Sequence, residues 1–176
     1  MNRFQLRFPI TELQRIAAKY DVRKNGDDKV EPLGRAARER GYYIRDEFLA
    51  LCVWKTPRSK PRCEANEDEF VQEVTRIALS TRVERLRIEV LTLLMGVEWP
   101  TATVLLHFGH RDLYPILDYR ALWSLQVEPP KAGYDFEFWR EYTKSCRELA
   151  RQAEVDMRTL DRALWQYSRE NQGTRR

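Results

Sequence analysis

Apolar residues recur along the chain at three- and four-residue intervals, and no run alternates strictly between apolar and polar, so the pattern predicts helices and no strand. Leu86, Val90, Leu93 and Leu94 fall on one helical stripe and Phe70, Val74, Ile77 and Ala78 on another, each needing a neighbour to cover it. Thr11 with Gln14, Asn66 with Glu69 and Thr81 with Glu84 each place a capping residue three positions before Glu or Gln, a pattern that satisfies orphan backbone donors at a helix start. Together these signals predict helices near residues 11–20, 32–40, 44–55, 67–80, 82–94, 99–108, 119–126, 135–153 and 157–170. The expected fold is all-α, a compact multi-helix single domain over residues 1–176. The loops 127–133 and 25–28 separate nothing large enough to be a domain, and the tail 172–176 is expected to fray.

Composition changes this picture little. With 43% hydrophobic and 33% charged residues, five Trp and eight Tyr among 176 positions, the chain has enough apolar surface to fold. No apolar run approaches the roughly 20 residues that cross a bilayer, and no apolar segment follows Met1-Asn2-Arg3, so a cytoplasmic location away from membranes is expected. Cys52, Cys63 and Cys146 are odd in number and widely spaced, which predicts free thiols and no metal or cofactor site. The net charge of +4 argues only weakly for a polyanionic partner.

Residues 91–125, LTLLMGVEWPTATVLLHFGHRDLYPILDYRALWSL, carry the most information. They read as a helix, a turn at Met95-Gly96-Val97, a second helix from Trp99, and an extended Tyr114-Pro115-Ile116-Leu117 that leads to Asp118. A glycine turn between two helices lets backbone N–H groups at the second helix's start point outward, where they and the helix dipole hold phosphate without sequence preference.

On those residues the segment resembles the helix-hairpin-helix superfamily of base-excision DNA glycosylases, in its endonuclease and adenine-glycosylase branches. That pattern reads approximately L-P-G-V-G-x-[KS]-T-A, an apolar helix, then P-[IV]-x-D. Gly96, Val97, Thr101, Ala102, Pro115 and Asp118 fall in place without insertion or deletion against the adenine branch, over about a fifth of the chain. The resemblance implies a helix-hairpin-helix domain that binds double-stranded DNA, with Gly96, Val97, Trp99 and Thr101 at the backbone and Asp118 in catalysis. Glu98 stands at the motif's second glycine, and Pro100 at the lysine that forms a Schiff base in bifunctional members, so lyase chemistry through that position is absent. Only Cys146 follows the hairpin, so the iron–sulfur loop of several branches has no counterpart, and Ala50 aligns with the adenine branch's catalytic glutamate.

Asp118 has two compatible readings: an N-cap for the helix at Tyr119, or a carboxylate that stabilises positive charge on a sugar as its base leaves. Glu47 is a candidate for the missing acid, or an acid that favours its helix N-terminus. Lys55, Arg58, Lys60 and Arg62 form a cationic run beside Trp54, read as a phosphate-contacting loop or as a solvated one. Tyr114 is a stacking candidate if exposed and a core residue if not, whereas His107 and His110 read as structural. Three functions follow: a monofunctional DNA N-glycosylase acting in repair as a hydrolase, a non-catalytic DNA-binding module in a repair or defence assembly, and a helical adaptor unrelated to DNA.

Overall fold

In the computed structural model, which describes residues 3–112 and 114–173, every regular element is a helix, and no strand occurs among the described residues. The end of the tail expected to fray, residues 174–176, lies outside them. The helices are α1 (Leu13–Ala17), α2 (Asp27–Arg40), α3 (Arg45–Lys55), α4 (Lys60–Glu64), α5 (Asp68–Ser80), α6 (Glu84–Glu89), α7 (Trp99–Gly109), α8 (Tyr119–Ser124), α9 (Phe136–Gln152) and α10 (Met157–Asn171). Single 3-10 turns lie at Ile10–Glu12, Pro57–Ser59 and Val90–Leu93. The chain forms two compact units: Val22–Tyr114, and Met1–Asp21 together with Pro115–Arg176.

In the Val22–Tyr114 unit α7 is the central element, with α2, α3, α5 and α6 packed on it. Its sequence is apolar nearly all round, and Ala102, Val104, Leu105, Leu106 and Phe108 are all buried, as a helix without a polar face requires. The α2–α7 crossing is close because Gly34 has no side chain: a Cβ there would stand 2.3 Å from Phe108 Cβ and 2.9 Å from its carbonyl carbon. Arg38, one turn further along α2, donates to the Phe108 carbonyl at 2.8 Å. Tyr43 is fully buried and joins two further helices, donating from its hydroxyl to Leu105 O at 2.8 Å while its backbone N–H donates to Thr75 Oγ1 at 3.0 Å.

Several expectations are corrected here. α2 begins at Asp27 rather than Pro32, because Gly26 takes the left-handed conformation (φ 76°) and starts the helix early, leaving Pro32 inside it. Part of the cationic loop is helical, with Pro57 and Pro61 in the first turns of its two short helices, where a missing N–H costs nothing. None of the three predicted caps forms: α5 and α6 start after Glu67 and Val83, neither with a side-chain cap, and the first helical residues, Ile10–Glu12, are a 3-10 turn. The two apolar stripes are rotated. Val71, Val74, Thr75 and Ala78 form the buried face of α5, and Ile88, Val90, Leu91 and Leu94 that of the following segment, whereas Phe70, Ile77, Leu86 and Leu93 are exposed.

In the other unit α10 packs on α1, α8 and α9. Aspartates begin three helices: Asp118 Oδ1 accepts from Arg120 N at 2.8 Å, Asp135 Oδ1 from Phe138 N at 2.8 Å, and Asp156 Oδ1 from Thr159 N at 2.6 Å. The cap expected at Asp118 is therefore present. Trp139 and Tyr142 fill the interior, and the Tyr142 hydroxyl donates to Ile116 O at 2.8 Å, fixing the extended run that leads to Asp118.

The Gly34 contact generates a test. Gly34→Ala drives a methyl into Phe108 backbone and should cost about 1–3 kcal/mol, read as a lowered urea midpoint. Gly41→Ala meets nothing within 4 Å and carries only its left-handed φ of 91°, so its loss should stay near 1 kcal/mol.

Candidate nucleic-acid interface

The turn before α7 is built by three features. Leu94 N donates to Leu91 O at 3.2 Å and Val97 N to Leu94 O at 3.1 Å, which reverses the chain. Gly96 sits at φ 82°, a backbone conformation that side chains resist. It also lies against α4, because a Cβ on Gly96 would stand 2.7 Å from Cys63 Sγ, 3.0 Å from Cys63 N and 3.1 Å from Arg62 Cβ. Conformation and space both demand glycine.

Asn66 closes the turn from the other side. Its side-chain carbonyl accepts from Met95 N at 2.8 Å, and its amide donates to Met95 O and to Cys63 O, each at 2.9 Å. With the residue only 3% exposed, one buried amide ties the end of α4 to the turn. Sequence reading assigned Asn66 to a helix cap and missed this role, because its partner is 29 positions away.

Cys52 and Cys63, on α3 and α4, are both buried free thiols that share a hydrogen bond. Cys63 also lies 3.6 Å from Ser59 Oγ, within hydrogen-bonding reach. The Cys52 bond, then Ser59 and the Arg62 charge, pull the Cys63 thiol down to about 6 against the opposing effect of burial, and Cys52 moves up in compensation. Cys146, buried in the other unit, is pushed up by loss of solvent.

This packing places Arg62, the end of the cationic run, beside the turn. Arg58, Lys60 and Arg62 are exposed and Lys55 is half-buried. Lys60 pairs with Glu64 at 3.5 Å, whereas Arg58 and Arg62 make no ion pair among the described residues. At the start of α7, Glu98 is exposed and its side chain caps no backbone donor, while Pro100 removes one N–H from the first turn. Trp99 is half-buried, but Val97 and Thr101 are each only 3% exposed, so contacts from these two run through backbone groups.

Other candidates take structural places. Tyr114 is 1% exposed; its hydroxyl accepts from Arg87 Nη1 at 2.6 Å and donates to Glu84 Oε1 at 3.0 Å, so the stacking role is withdrawn. Both oxygens of the buried Glu47 are engaged by Arg40, at 2.7 and 2.8 Å, and Oε2 also accepts from Ile44 N at 3.2 Å. That carboxylate serves the start of α3 and holds α2, and the assignment as a catalytic acid is withdrawn. His107 Nδ1 lies 2.7 Å from Tyr114 O and His110 Nδ1 accepts from Asp112 N at 2.9 Å, the structural use expected of both. Asp118, half-buried, belongs to the other unit. Among the described residues no group of His, Cys, Asp and Glu could hold a metal ion, and no helix is long and apolar enough to cross a membrane.

In comparisons with known proteins, no family model, curated protein or solved structure matches the chain.

The amide bridge is open to direct measurement. Asn66→Ala leaves the Met95 N–H and C=O without their partner, which should cost about 2–3 kcal/mol and raise amide exchange at the turn, residues 94–98. Asn66→Asp keeps the acceptor for Met95 N and loses the donor, so turn exchange should fall between the two.

Proposed function

We propose that the chain binds double-stranded DNA through the Gly96 turn and the adjoining 55–62 segment, and acts on it as a monofunctional N-glycosylase. The observation that carries the reading is the left-handed Gly96 turn pressed against α4, where the exposed Arg62 would have its Cβ 3.1 Å from a Cβ on Gly96. Helix N-termini and guanidinium groups both accept backbone phosphate, and neither depends on base sequence. In this reading the turn is the hairpin of a helix-hairpin-helix motif.

Asp118 is the catalytic candidate. Its capping bond engages Oδ1 and fixes the side chain's orientation. A carboxylate held in that way stabilises positive charge on the sugar of an extruded nucleotide while water displaces the base. With Pro100 in place of an amine, no covalent intermediate forms there, and the product is an abasic site in an uncut strand.

A second reading, a DNA-binding module without chemistry, is favoured by Glu98 beside the phosphate site and by the engagement of Glu47 with Arg40. The two part at one substitution. Wild-type protein is incubated with duplexes carrying a panel of damaged bases and then treated with alkali, which cuts at abasic sites. The glycosylase reading expects cleavage of at least one duplex, and Asp118→Asn, which keeps a good cap, should lower base release at least ~100-fold while binding persists. Equal release by the two proteins removes Asp118 from catalysis, and a wild type inert on every duplex leaves the module.

Binding has its own test. Affinity for duplexes of unrelated sequence should fall as salt rises, and replacing Lys55 and Arg58 together by Ala should reduce the salt slope by roughly 2. An unchanged slope returns the segment to ordinary solvated surface, and no binding at low salt defeats both readings. Gly96→Ala should abolish duplex binding ahead of global unfolding, because the methyl meets Cys63 at 2.7 Å.

A further inference from the structure

Among the described residues, six of the eight exposed large apolar side chains lie in one stretch of the Val22–Tyr114 unit: Phe70, Ile77, Val83, Leu86, Leu93 and Met95. The stretch is a hairpin. α5 packs on α6 and on the 3-10 turn Val90–Leu93, and the link Thr81-Arg82-Val83 joins the two arms. Asn66 ties the open end through its bonds to Met95, and Arg87 Nη2 donates to Thr81 O at the closed end. Each arm has its own buried face, α5 through Val71, Val74 and Ala78, the other through Ile88, Leu91 and Leu94. Phe70 and Ile77 stand seven residues apart on α5, and Leu86 and Leu93 seven apart on the other arm, a spacing of two helical turns. These four are between 41% and 61% exposed. Single apolar residues on a surface are ordinary, but four of this size on one hairpin mark a contact surface.

Charge along the hairpin is of two kinds. Glu73 pairs with Arg76 within α5, and Arg85 with Glu89 within α6, so the middle of each arm is neutralised inside the chain. The ends of α5 differ. Glu67 and Glu69, next to Phe70, are exposed and make no ion pair among the described residues, whereas Asp68 between them pairs with Arg45 at 3.3 Å. Arg82, in the link just past the other end of α5, is likewise exposed and makes no ion pair among the described residues.

A row of apolar side chains with uncommitted acids at one end and an uncommitted cation at the other is complementary to itself when turned through a two-fold axis. Antiparallel pairing of α5 with α5 of a second copy sets Phe70 of each chain against Ile77 of the other. The same rotation brings Glu67 and Glu69 of each chain toward Arg82 of the other, so charge fixes the direction of pairing while the apolar rows supply its strength. A lipid surface selects cations along the whole polar edge, which the acids at the start of α5 oppose. We infer that the α5–α6 hairpin is the interface of a two-fold homodimer, with Phe70, Ile77, Leu86 and Leu93 at its centre. The surface lies wholly within one unit, and it stands whether or not the Gly96 turn binds duplex.

The test is the mass of the full chain in solution, measured by sedimentation equilibrium over a series of protein concentrations. The mass should rise from one chain to two and stop there. Phe70→Ser combined with Leu93→Ser should weaken association at least ~10-fold. Arg82→Glu should weaken it roughly 3- to 10-fold, and so should Glu67→Lys combined with Glu69→Lys. All three charge changes in one chain should restore most of the affinity, because each altered end then meets its opposite again; a loss of fold would not be repaired in this way. Circular dichroism establishes that each variant is folded, and Leu93→Ser alone, at the most exposed of the four positions, gives the same direction if the double variant unfolds. A single chain at every concentration overturns the inference, as does a dimer that folded variants of this face leave intact. Charge changes whose losses add instead of cancelling overturn the antiparallel pairing, and a mass that climbs past two chains overturns the two-fold. No nucleic acid enters these measurements, so failure of the turn as a duplex grip and failure of this interface are read separately.

Discussion

The amide of Asn66 holds the backbone of Met95 by both its N–H and its carbonyl, and the candidate interface of the Val22–Tyr114 unit depends on that clasp. Without it the turn has two short backbone bonds and a left-handed glycine, too little to fix where the start of α7 faces. With it, Gly96 is pressed onto Cys63 and Arg62 Cβ, so that α4 lies against the turn. A buried polar group so committed carries a high penalty if any partner is lost, so the geometry is specified as well as stabilised. The same logic recurs at the other end of α7, where Gly34 and Gly109 admit Phe108 and Tyr43 at distances that no side chain would allow.

Helix identity was legible because strong periodicity and local stops agree. The segments near 44–55, 99–108, 135–153 and 157–170 match α3, α7, α9 and α10 to within about two residues. The cap at Asp118 was legible because the aspartate is adjacent to its helix and the interaction is local. Asn66 was misassigned for the opposite reason: its chemistry suits a cap, and only the tertiary fold supplies Met95. The stripes of α5 and α6 were misplaced because two faces of each helix are apolar, and Thr75, the polar residue that hid the true one, is buried with its hydroxyl donating to Val71 O at 2.7 Å. The candidate site was legible as a motif at Gly96 and Asp118, but not as a set of exposed side chains, since Tyr114, Val97 and Thr101 all turned inward.

Charge is distributed in a way that composition does not reveal. Many ions pair within one helix at exposed positions, as in Arg85 with Glu89, Arg140 with Glu137 and Arg151 with Glu148, and such pairs contribute little to stability. Arg62, at the turn, is exposed and stands outside those pairs. A net charge of +4 is therefore a poor measure of what the surface attracts.

Capping and catalysis at Asp118 are compatible because they place the same demand on the side chain. A cap fixes the carboxylate by one oxygen against a backbone N–H, and a group that stabilises a developing cation must already be fixed when charge appears, since reorganisation during the reaction would consume what it contributes. The Tyr142 hydroxyl extends that fixation by anchoring the Ile116 carbonyl two residues upstream. Glu47 is immobilised as well, but by a guanidinium that neutralises it, and a carboxylate committed to Arg40 has nothing left for a substrate cation. Rigidity alone therefore does not distinguish a catalytic acid from a structural one. What the two carboxylates show is a difference in partner: Asp118 Oδ1 accepts from the backbone N–H of Arg120, whereas both oxygens of Glu47 are held by the Arg40 guanidinium.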